Sequence, residues 1–341
     1  MILVTLIAAP LTGFATWAAA RMVLELLAAR DVMDRPNERS SHDRPVPRGG
    51  GLAVMGLVLP SWLFLSLLTG ILGDVWPILV ASFVLAALSF VDDVRGLHQL
   101  PRFAGHVAAV LLGLALLPES ALLFDGMLPF WLDRVVTGLA WVWFINLFNF
   151  MDGIDGIAGI ETITIGGGLA LALLILVGAQ GGDWSRAPLA AVLAGSAAGF
   201  LVLNWHPAKL FLGDVGSVPL GYLLGWLLVW TACVAGLWWL ALLLPLYYWA
   251  DATTTLLRRA FRGEKVWRAH REHAYQVAVQ AGGSHAEVVG MIALLNAALI
   301  ALAIIAVAGV LPGWVALIPG ALMTGALLWY LRTRYGKLGG A

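Results

Sequence analysis

The sequence predicts an all-α, polytopic integral membrane protein with about eleven transmembrane helices in one membrane-embedded domain, residues 1–341. Two observations carry this prediction: 61% of the 341 residues are hydrophobic and only 12% are charged, and the apolar residues occur in long runs. The mean hydropathy is +0.89. A soluble domain of this length could not bury so much apolar surface, so the lipid bilayer is the expected surrounding.

The apolar runs define the predicted spans in chain order. A helix needs about 20 residues to cross the hydrocarbon core. On that basis the spans lie at about 3–28, 50–70, 76–91, 103–119, 133–150, 160–178, 187–204, 217–233, 236–252, 287–309 and 314–332. The first run lacks a preceding basic region, so an uncleaved helix is predicted rather than a signal peptide. Asp125, Gly126 and Pro129 interrupt the apolar piece at 121–132, which is therefore predicted to be a loop.

The distribution of lysine and arginine predicts the orientation. All of the 20 basic residues except Arg21, Arg134 and Arg186 fall on one side of the predicted spans. The positive-inside rule makes that side cytoplasmic, so the N-terminus is predicted outside and the C-terminus inside. The main cytoplasmic loops are expected at about 29–49, 92–102, 151–159, 205–216 and 253–286.

Composition also argues against two other classes. The single cysteine, Cys233, cannot form an internal disulfide framework. The net charge is zero, which gives no reason to expect a nucleic-acid partner.

Asp92 and Asp93 form an adjacent acidic pair where the third span is predicted to end. Adjacent carboxylates repel each other, and near hydrocarbon they need a compensating cation such as a divalent metal or an arginine. The alternative is a solvated helix end paired with Arg95. Because charge so close to the membrane interior is costly, the pair is interpreted as functional.

Four polar residues, Asn146, Asn149, Asp152 and Asp155, recur every three positions where the fifth predicted span ends. If the helix continues through them, consecutive members share one face. Amides and carboxylates suit a nucleobase, sugar hydroxyls or a hydrated Mg²⁺. The alternative is a turn rich in Asn and Asp.

A third acidic motif, Phe211–Ser217, precedes the eighth span. Asp214 lies between two glycines that permit a tight turn. Ser217 is expected to cap the next helix, whose N-terminus would favour phosphate. An ordinary helix cap is the alternative.

The first cytoplasmic loop ends in Pro47–Gly51. Backbone amides of the three glycines, together with Arg48, would form a phosphate cradle. The spacing is not that of a P-loop, and a rigid linker remains the alternative.

His270 and His273 lie in the largest basic loop. Zinc is one interpretation, but no cysteine accompanies them and the acidic motifs are rich in oxygen. Membrane topology and anionic lipid also explain basic loops. Contacts of both histidines with phosphate are therefore a hypothesis.

In this order, the motifs resemble those of the polyprenyl-phosphate N-acetylhexosamine-1-phosphate transferase family, which is related to the phospho-MurNAc-pentapeptide transferases. The resemblance covers nearly the whole chain, from Asp34 to the His270 region. It rests on Pro47–Gly51, Val91–Asp93, Asn149–Gly156, Phe211–Ser217, and Pro245 with Asp251.

The resemblance implies a reaction and its partners. A UDP-N-acetylhexosamine donor would give its sugar 1-phosphate to undecaprenyl phosphate, with release of UMP and a requirement for Mg²⁺ (or Mn²⁺). The active site would lie on the cytoplasmic face of the bacterial inner membrane. The related peptidoglycan enzymes also suggest a homodimer.

The resemblance also implies residue roles. Asp214 is the expected metal ligand, with Asp152 as a second candidate, and Asp92 and Asp93 are the expected catalytic pair. Substrate-binding roles fall on Arg48, Asn149, Asp152, Asp155, Lys209, His270, Arg271 and His273. Whether a carboxylate acts as base or as nucleophile stays open, although direct attack by the ionised lipid phosphate is simpler.

One segment departs from the common family pattern. Many relatives have His-x-His-His-Arg where this chain has His270–Gln276, so that Glu272 replaces a histidine. Together with the Asn37–His42 run, this resembles the O-antigen-initiating subgroup, whose donors carry GlcNAc or 6-deoxy sugars such as FucNAc and QuiNAc.

Two alternative functions remain. A phospho-MurNAc-pentapeptide transferase is the nearer one, and the His270–Gln276 and Asn37–His42 segments argue against it. A secondary transporter would place charges near the middle of the membrane and show repeated halves, which the sequence does not.

Overall fold

The computed structural model describes residues 2–36, 44–180, 185–266 and 270–333, apart from the side chains of 177–180; the Asn37–His42 run therefore lies outside the described residues. The described chain is helical except for two two-residue strands, which confirms the predicted all-α class. The elements are α1 (Ile2–Ala29), β1 (Met33–Asp34), β2 (Val46–Pro47), α2 (Gly51–Thr69), α3 (Leu72–Arg95), α4 (Gln99–Ala115), α5 (Phe130–Met151), α6 (Ile157–Gln180), α7 (Ala187–Asn204), α8 (Asp214–Cys233), α9 (Trp238–Leu243), α10 (Leu246–Phe261), α11 (Ala274–Gln280), α12 (His285–Val307) and α13 (Gly313–Thr333).

Nine of the described helices are long and apolar enough to cross a bilayer, namely α1, α2, α3, α5, α6, α7, α8, α12 and α13. The chain is thus a multi-pass membrane protein, as predicted. The predicted fourth span corresponds to α4, which has only 17 residues and begins earlier, at Gln99. The predicted ninth span is divided into α9 and α10 at Pro245, because proline has no backbone N–H to continue the helical ladder.

Helix α8 forms the centre of the bundle. Every residue from Val215 to Cys233 is buried, with α3 and α5 packed along it. Trp141 of α5 stacks on Tyr222 with ring centroids 5.1 Å apart, and its indole N–H donates to the Tyr222 carbonyl at 3.1 Å. The predicted helix start at residue 217 was wrong: the helix begins at Asp214, because Gly213 takes a positive φ of 74° just before it.

Helices α1 and α7 pack against each other through glycine. A Cβ added to Gly199 would lie 1.9 Å from the Gly13 carbonyl oxygen, so glycine permits this backbone approach. The outer side of α1 exposes large apolar residues such as Leu3, Leu11 and Phe14, as expected of a surface that faces lipid tails.

The polar connections gather at one end of the bundle. We call this the site end; it comprises the described residues of 30–50, 92–102, 151–156, 205–214 and 262–285. The opposite end comprises the connections 116–129, 185–186, 234–237 and 308–312. The five loops predicted from the basic residues all contribute to the site end, and the predicted loop at 121–132 lies in the opposite one.

Candidate active site

Three carboxylates and two arginines meet at the centre of the site end. The Arg48 guanidinium lies 3.0 Å from an Asp93 oxygen and 2.8 Å from an Asp214 oxygen. Arg102 lies 2.8 Å from an Asp92 oxygen and 2.6 Å from the other Asp214 oxygen. Asp214 therefore joins both arginines, and the three acids predicted from separate motifs lie together.

This cluster is partly shielded from solvent. The side chains of Asp92, Asp93 and Asp214 are 9%, 12% and 15% exposed, so their ion pairs are less screened than pairs on an open surface. Burial acts to lower the pKa of Arg48, but the charges of Asp214 and Asp93 outweigh it and raise that pKa. Arg48 therefore stays charged.

The glycines of Pro47–Gly51 position Arg48 by close packing. The Phe211 carbonyl accepts the amides of Gly49 and Gly50 at 3.1 and 2.8 Å, and the Leu212 carbonyl accepts that of Gly51 at 2.8 Å. These amides are therefore engaged with the loop before α8, and the predicted phosphate cradle from backbone N–H groups was wrong.

The absence of side chains at these glycines is what allows the approach. A Cβ on Gly51 would lie 2.2 Å from the backbone nitrogen of Gly216. The contact sets Arg48 beside Phe211 in a bridge and brings the start of α2 against the start of α8. Arg48 thereby reaches Asp214, 166 residues further along the chain.

Asp152 is a fourth carboxylate near this cluster. Helix α5 ends at Met151 and Asp152 takes φ −80° and ψ 60°, so the three-residue spacing does not continue along one helical face. Burial raises the pKa of Asp152 to about 7; Arg48 opposes the rise, and the charges of Asp214, Asp155 and Asp93 add to it. Asp152 therefore interacts electrostatically with Asp93 and Asp214, the two acids that pair with Arg48.

The charges of this group do not cancel. When ionised, the four carboxylates of Asp92, Asp93, Asp152 and Asp214 carry four negative charges, against two positive charges on Arg48 and Arg102. Two negative charges are left in a partly buried, oxygen-rich site. That is the environment that favours a hard divalent cation.

Asn149 and Asp155 occupy different surroundings. The Asn149 side-chain amide donates to the Ser217 hydroxyl at 2.9 Å, so Asn149 lies against the start of α8. Asp155 is buried and accepts the backbone N–H of Ala208 at 3.1 Å. Its carboxylate also lies 2.7 Å from His206 and 3.3 Å from His285. Burial acts to raise the pKa of Asp155, but the bonds from both histidines lower it.

The histidine loop lies beside the acidic group through helix α11. A Cβ on Gly153 would meet the Tyr275 hydroxyl at 2.3 Å, so the segment after α5 packs directly against α11. His270 and His273 have ring centroids 4.8 Å apart. Burial, His273 and Arg259 lower the pKa of His270 to about 4, so its ring is neutral at pH 7.

His273 is turned inward. It is 2% exposed, stacks on Tyr275, and has its Nδ1 4.0 Å from an Asp251 oxygen. Burial lowers the pKa of His273. Its neighbour Arg271 is half-buried, whereas Lys209 is exposed in the loop before α8.

Two acidic residues hold the histidine loop in place. Asp251 is fully buried and accepts the backbone N–H of Ala274 at 2.8 Å and a bond from Arg332 at 3.2 Å. Glu272 pairs with Arg259 at 3.4 Å and also with Arg262. Glu272, the residue that departs from the family pattern, thus joins the loop to the end of α10.

Three residues near the candidate site were not predicted for it. Arg102 entered the sequence argument only as an orienting charge, although it lies on the first turn of α4 and reaches two acids. The sequence patterns singled out neither His206 nor His285. Their partner Asp155 is 51 and 130 residues away, and spacing along the sequence carries no signal for such contacts.

Comparison with known proteins adds a family match. The model for glycosyl transferase family 4 matches residues 75–232. A decaprenyl-phosphate N-acetylglucosaminephosphotransferase of Mycolicibacterium smegmatis is 36% identical over 246 residues, 65% of this chain and 58% of the relative. A probable undecaprenyl-phosphate N-acetylglucosaminyl 1-phosphate transferase of Bacillus subtilis is 27% identical over 275 residues, 74% of this chain and 71% of the relative.

The other branch is similar as well. A phospho-N-acetylmuramoyl-pentapeptide-transferase of Halalkalibacterium halodurans is 34% identical over 197 residues, 51% of this chain and 58% of that protein. The chain spans 58% of the length of the mycobacterial relative. The segment matched by the family model contains Asp92, Asp93, Asp152 and Asp214, whereas Arg48 and the histidine loop lie outside it.

Proposed function

We propose that this chain, whose residues 75–232 match the model for glycosyl transferase family 4, transfers an N-acetylhexosamine 1-phosphate from a UDP-sugar to undecaprenyl phosphate. The products are undecaprenyl-diphospho-sugar and UMP. The observation that carries the proposal is the meeting of Asp92, Asp93 and Asp214 with two arginines at one end of a membrane bundle, with Asp152 near them. A water-soluble donor and a membrane-bound phosphate can meet only at such an interface.

A bound Mg²⁺ (or Mn²⁺) is part of the proposal. Asp214 and Asp152 are the proposed ligands, since hard cations prefer oxygen and the group carries excess negative charge. The bound ion would neutralise the diphosphate and stabilise the departing UMP. Asp93 keeps its proposed catalytic role. Its carboxylate is held in place, because the Val215 backbone N–H donates to one of its oxygens at 3.2 Å and Arg48 pairs with the other.

The reaction exchanges one phosphoanhydride bond for another. An oxygen of the lipid phosphate attacks the sugar-bearing phosphorus, and the bond from that phosphorus to the UMP oxygen breaks. The lipid phosphate is largely ionised at neutral pH, so direct attack needs little proton removal. Arg48 and Arg102 present planar guanidiniums suited to phosphate oxygens, and would orient the two phosphates for attack.

An apolar cavity is the proposed place for the polyprenyl chain. Its volume is about 540 Å³, and it lies between α5, α8, α9 and α10. Trp141, Phe144, Leu228 and Trp249 are among its lining residues. Phe144 precedes Asn149 by five residues on α5, about 7 Å along the axis, so a chain leaving the phosphate site could enter the cavity.

The finer assignments extend the same proposal. The donor sugar is GlcNAc or a 6-deoxy sugar such as FucNAc or QuiNAc, and the product begins O-antigen or a related envelope polysaccharide. The site end then faces the cytoplasm from the bacterial inner membrane, in agreement with the positive-inside rule. The names of the relatives support GlcNAc as the sugar, and the Glu272 departure supports the O-antigen-initiating subgroup.

UMP release by the purified protein tests the proposal. The assay combines undecaprenyl phosphate and Mg²⁺ with UDP-GlcNAc, UDP-FucNAc, UDP-QuiNAc or UDP-MurNAc-pentapeptide in separate reactions. We expect release that requires the lipid, stops in EDTA and returns with Mg²⁺ or Mn²⁺. Equal release without lipid phosphate would reject the transfer, and full activity in EDTA would reject the metal.

The second candidate is the transfer of phospho-MurNAc-pentapeptide. The similarity to the Halalkalibacterium halodurans relative favours it. The same assay decides, because that function predicts UMP release with UDP-MurNAc-pentapeptide and none with the three smaller donors.

A further inference from the structure

We propose that Asp155, His206 and His285 form a second metal site that takes a transition-metal ion of the Zn²⁺ class. It is separate from the four-carboxylate group and goes beyond the proposed transfer reaction. Its three residues come from the segment after α5, the loop after α7 and the first turn of α12. The site would join these segments beside the proposed donor-binding residues.

The ligand atoms lie at metal-site spacing. One oxygen of Asp155 lies 2.7 Å from Nδ1 of His206 and 3.3 Å from Nδ1 of His285. One ligand atom from each residue falls within 4.8 Å of the other two, and the two imidazole centroids are 4.8 Å apart. Ligands bound at 2.0–2.2 Å around one tetrahedral ion are separated by about 3.4 Å, so shifts of up to about 1.4 Å bring the three atoms to that spacing.

The hydrogen bonds around His285 conflict without a cation. Its Nδ1 accepts the backbone N–H of Asp155 at 3.3 Å, which requires an unprotonated nitrogen. The same nitrogen faces the Asp155 carboxylate at 3.3 Å, where two lone pairs would oppose each other. Protonation would satisfy the carboxylate but oppose the N–H. A metal ion between nitrogen and oxygen accepts one lone pair from each and so removes the repulsion between these two atoms, and the Asp155 N–H then gives up Nδ1 as its acceptor.

The donor set selects a different ion from the main cluster. Two imidazole nitrogens and one carboxylate oxygen suit Zn²⁺ and neighbouring first-row metals, whereas Mg²⁺ prefers oxygen alone. Three protein ligands leave a fourth position for water or a substrate group. The side chain of His206 is 38% exposed while those of Asp155 and His285 are each 7% exposed, so that position lies on the His206 side.

The surroundings hold the ligands in place. The Ala208 backbone N–H donates to the Asp155 oxygen that faces both histidines. Asn204 accepts the Gly156 N–H and donates to the Leu210 carbonyl, both at 3.0 Å, and so ties the two loops together. Such outer contacts are typical of sites that orient metal ligands. The ion would then fix the loop that carries Lys209 and leads to Asp214.

Metal retention by the full-length purified protein tests the site. The protein is loaded with Zn²⁺ in excess Mg²⁺, desalted, and analysed for metal by mass spectrometry. We expect about one Zn²⁺ per chain in the wild type and loss of it in His206→Ala and His285→Asn. Cobalt loading should give visible absorption bands in the wild type that both variants lack.

The controls separate this site from its neighbours. His98→Ala changes an exposed histidine elsewhere at the site end, and Asp93→Asn changes the main cluster; both should retain the zinc. Because the experiment measures metal content, its result does not depend on whether any donor gives UMP. The proposal would be overturned if the wild type retained no zinc, or if both histidine variants retained as much zinc as the wild type. Should His285→Asn not fold, the half-exposed His206→Ala decides alone.

Discussion

The carboxylates at the two ends of the bundle have different partners. At the opposite end, Asp133 is fully buried and accepts the backbone N–H groups of Leu123 and Phe124 at 3.1 and 2.9 Å. Asp74 pairs with Arg186 at 2.5 Å. Each of these acids has partners of its own, which fix a loop or join two helices.

At the site end, the acids share their partners. Asp214 contacts both Arg48 and Arg102, which also pair with Asp93 and Asp92. Asp152, when ionised, adds a fourth negative charge close to these three acids. The comparison teaches that a buried acid alone does not mark function, since buried charges are also paired for structural reasons. Shared partners and an excess of one sign of charge are what distinguish the site.

The largest expected effect comes from neutralising the shared acids. Asp93→Asn and Asp214→Asn should each lower lipid-dependent UMP release by at least about 100-fold, because electrostatic positioning of the phosphates is lost. Asp133→Ala at the opposite end should keep the activity but lower stability by about 1–3 kcal/mol, since two partly buried N–H groups lose their acceptor. UMP release and thermal unfolding in detergent measure the two effects.

The opposite results would contradict this comparison of the two ends of the bundle. Near-wild-type turnover in Asp93→Asn or Asp214→Asn would remove that residue from the catalytic group. Loss of turnover in folded Asp133→Ala would mean that the opposite end contributes to the reaction.

A smaller effect is expected from the arginines. Arg102→Met should raise KM for undecaprenyl phosphate and lower kcat/KM by about 10–100-fold, because charge-assisted bonds to phosphate are lost. The same change should tighten Mg²⁺ binding, since it leaves more negative charge among Asp92 and Asp214. Initial rates measured at varied lipid and Mg²⁺ concentrations distinguish the effect on KM for the lipid from the effect on Mg²⁺ binding.

The matched control is Arg186→Met at the opposite end. Arg186 is buried, pairs with Asp74 and lies over the Trp230 ring with its guanidinium carbon 4.8 Å from the centroid. The Arg186→Met change should reduce stability and leave KM for undecaprenyl phosphate and the affinity for Mg²⁺ unchanged. An unchanged KM for lipid in Arg102→Met would assign Arg102 to holding the acids only.

The fold was predictable because the membrane constrains it strongly. Backbone groups without water must bond within the segment, so an apolar run of sufficient length becomes a helix. Each of the eleven predicted runs contains a helix, although residues 116–119 of the fourth run and 244–245 of the ninth are not helical. Hydropathy could not indicate the break at Pro245 or the early start of α4, because helix ends depend on local backbone chemistry as well as apolarity.

The site was predictable only in part. Asp92, Asp93, Asp152 and Asp214 stood out because acidic residues at the ends of apolar runs are rare. Arg102 did not, since basic residues are common on the side that the positive-inside rule assigns to the cytoplasm. The glycines of Pro47–Gly51 were assigned to phosphate binding, whereas they permit packing against α8, a contact between segments more than 160 residues apart.

A third prediction uses the raised pKa of Asp152, which lies at about 7 against the usual 3.8. Between these values the folded protein holds a proton that the unfolded chain releases, so stability should fall as the pH rises from about 4 to 7. In EDTA, Tm should therefore decrease over this range by a few degrees more in the wild type than in Asp152→Asn. Asp125→Asn, at the opposite end, should follow the wild type. Parallel curves for the wild type and Asp152→Asn would show that Asp152 ionises normally.

The smallest expected effect concerns donor choice at the histidine loop. Replacing Arg271-Glu272 by Leu-His should change the ratio of UDP-GlcNAc to UDP-FucNAc turnover by a few-fold, and leave KM for the lipid unchanged. The structure adds a complication, because Glu272 pairs with Arg259 and Arg262 and its removal also loosens the loop. Glu272→Gln is therefore the matched control, since it removes the charge without adding an imidazole. A donor shift in the double replacement but not in Glu272→Gln assigns the effect to the new Leu-His pair and not to the loss of the Glu272 ion pairs. An equal shift in both would mean that the ion pairs position the loop, and an unchanged ratio in both would remove the loop from donor selection.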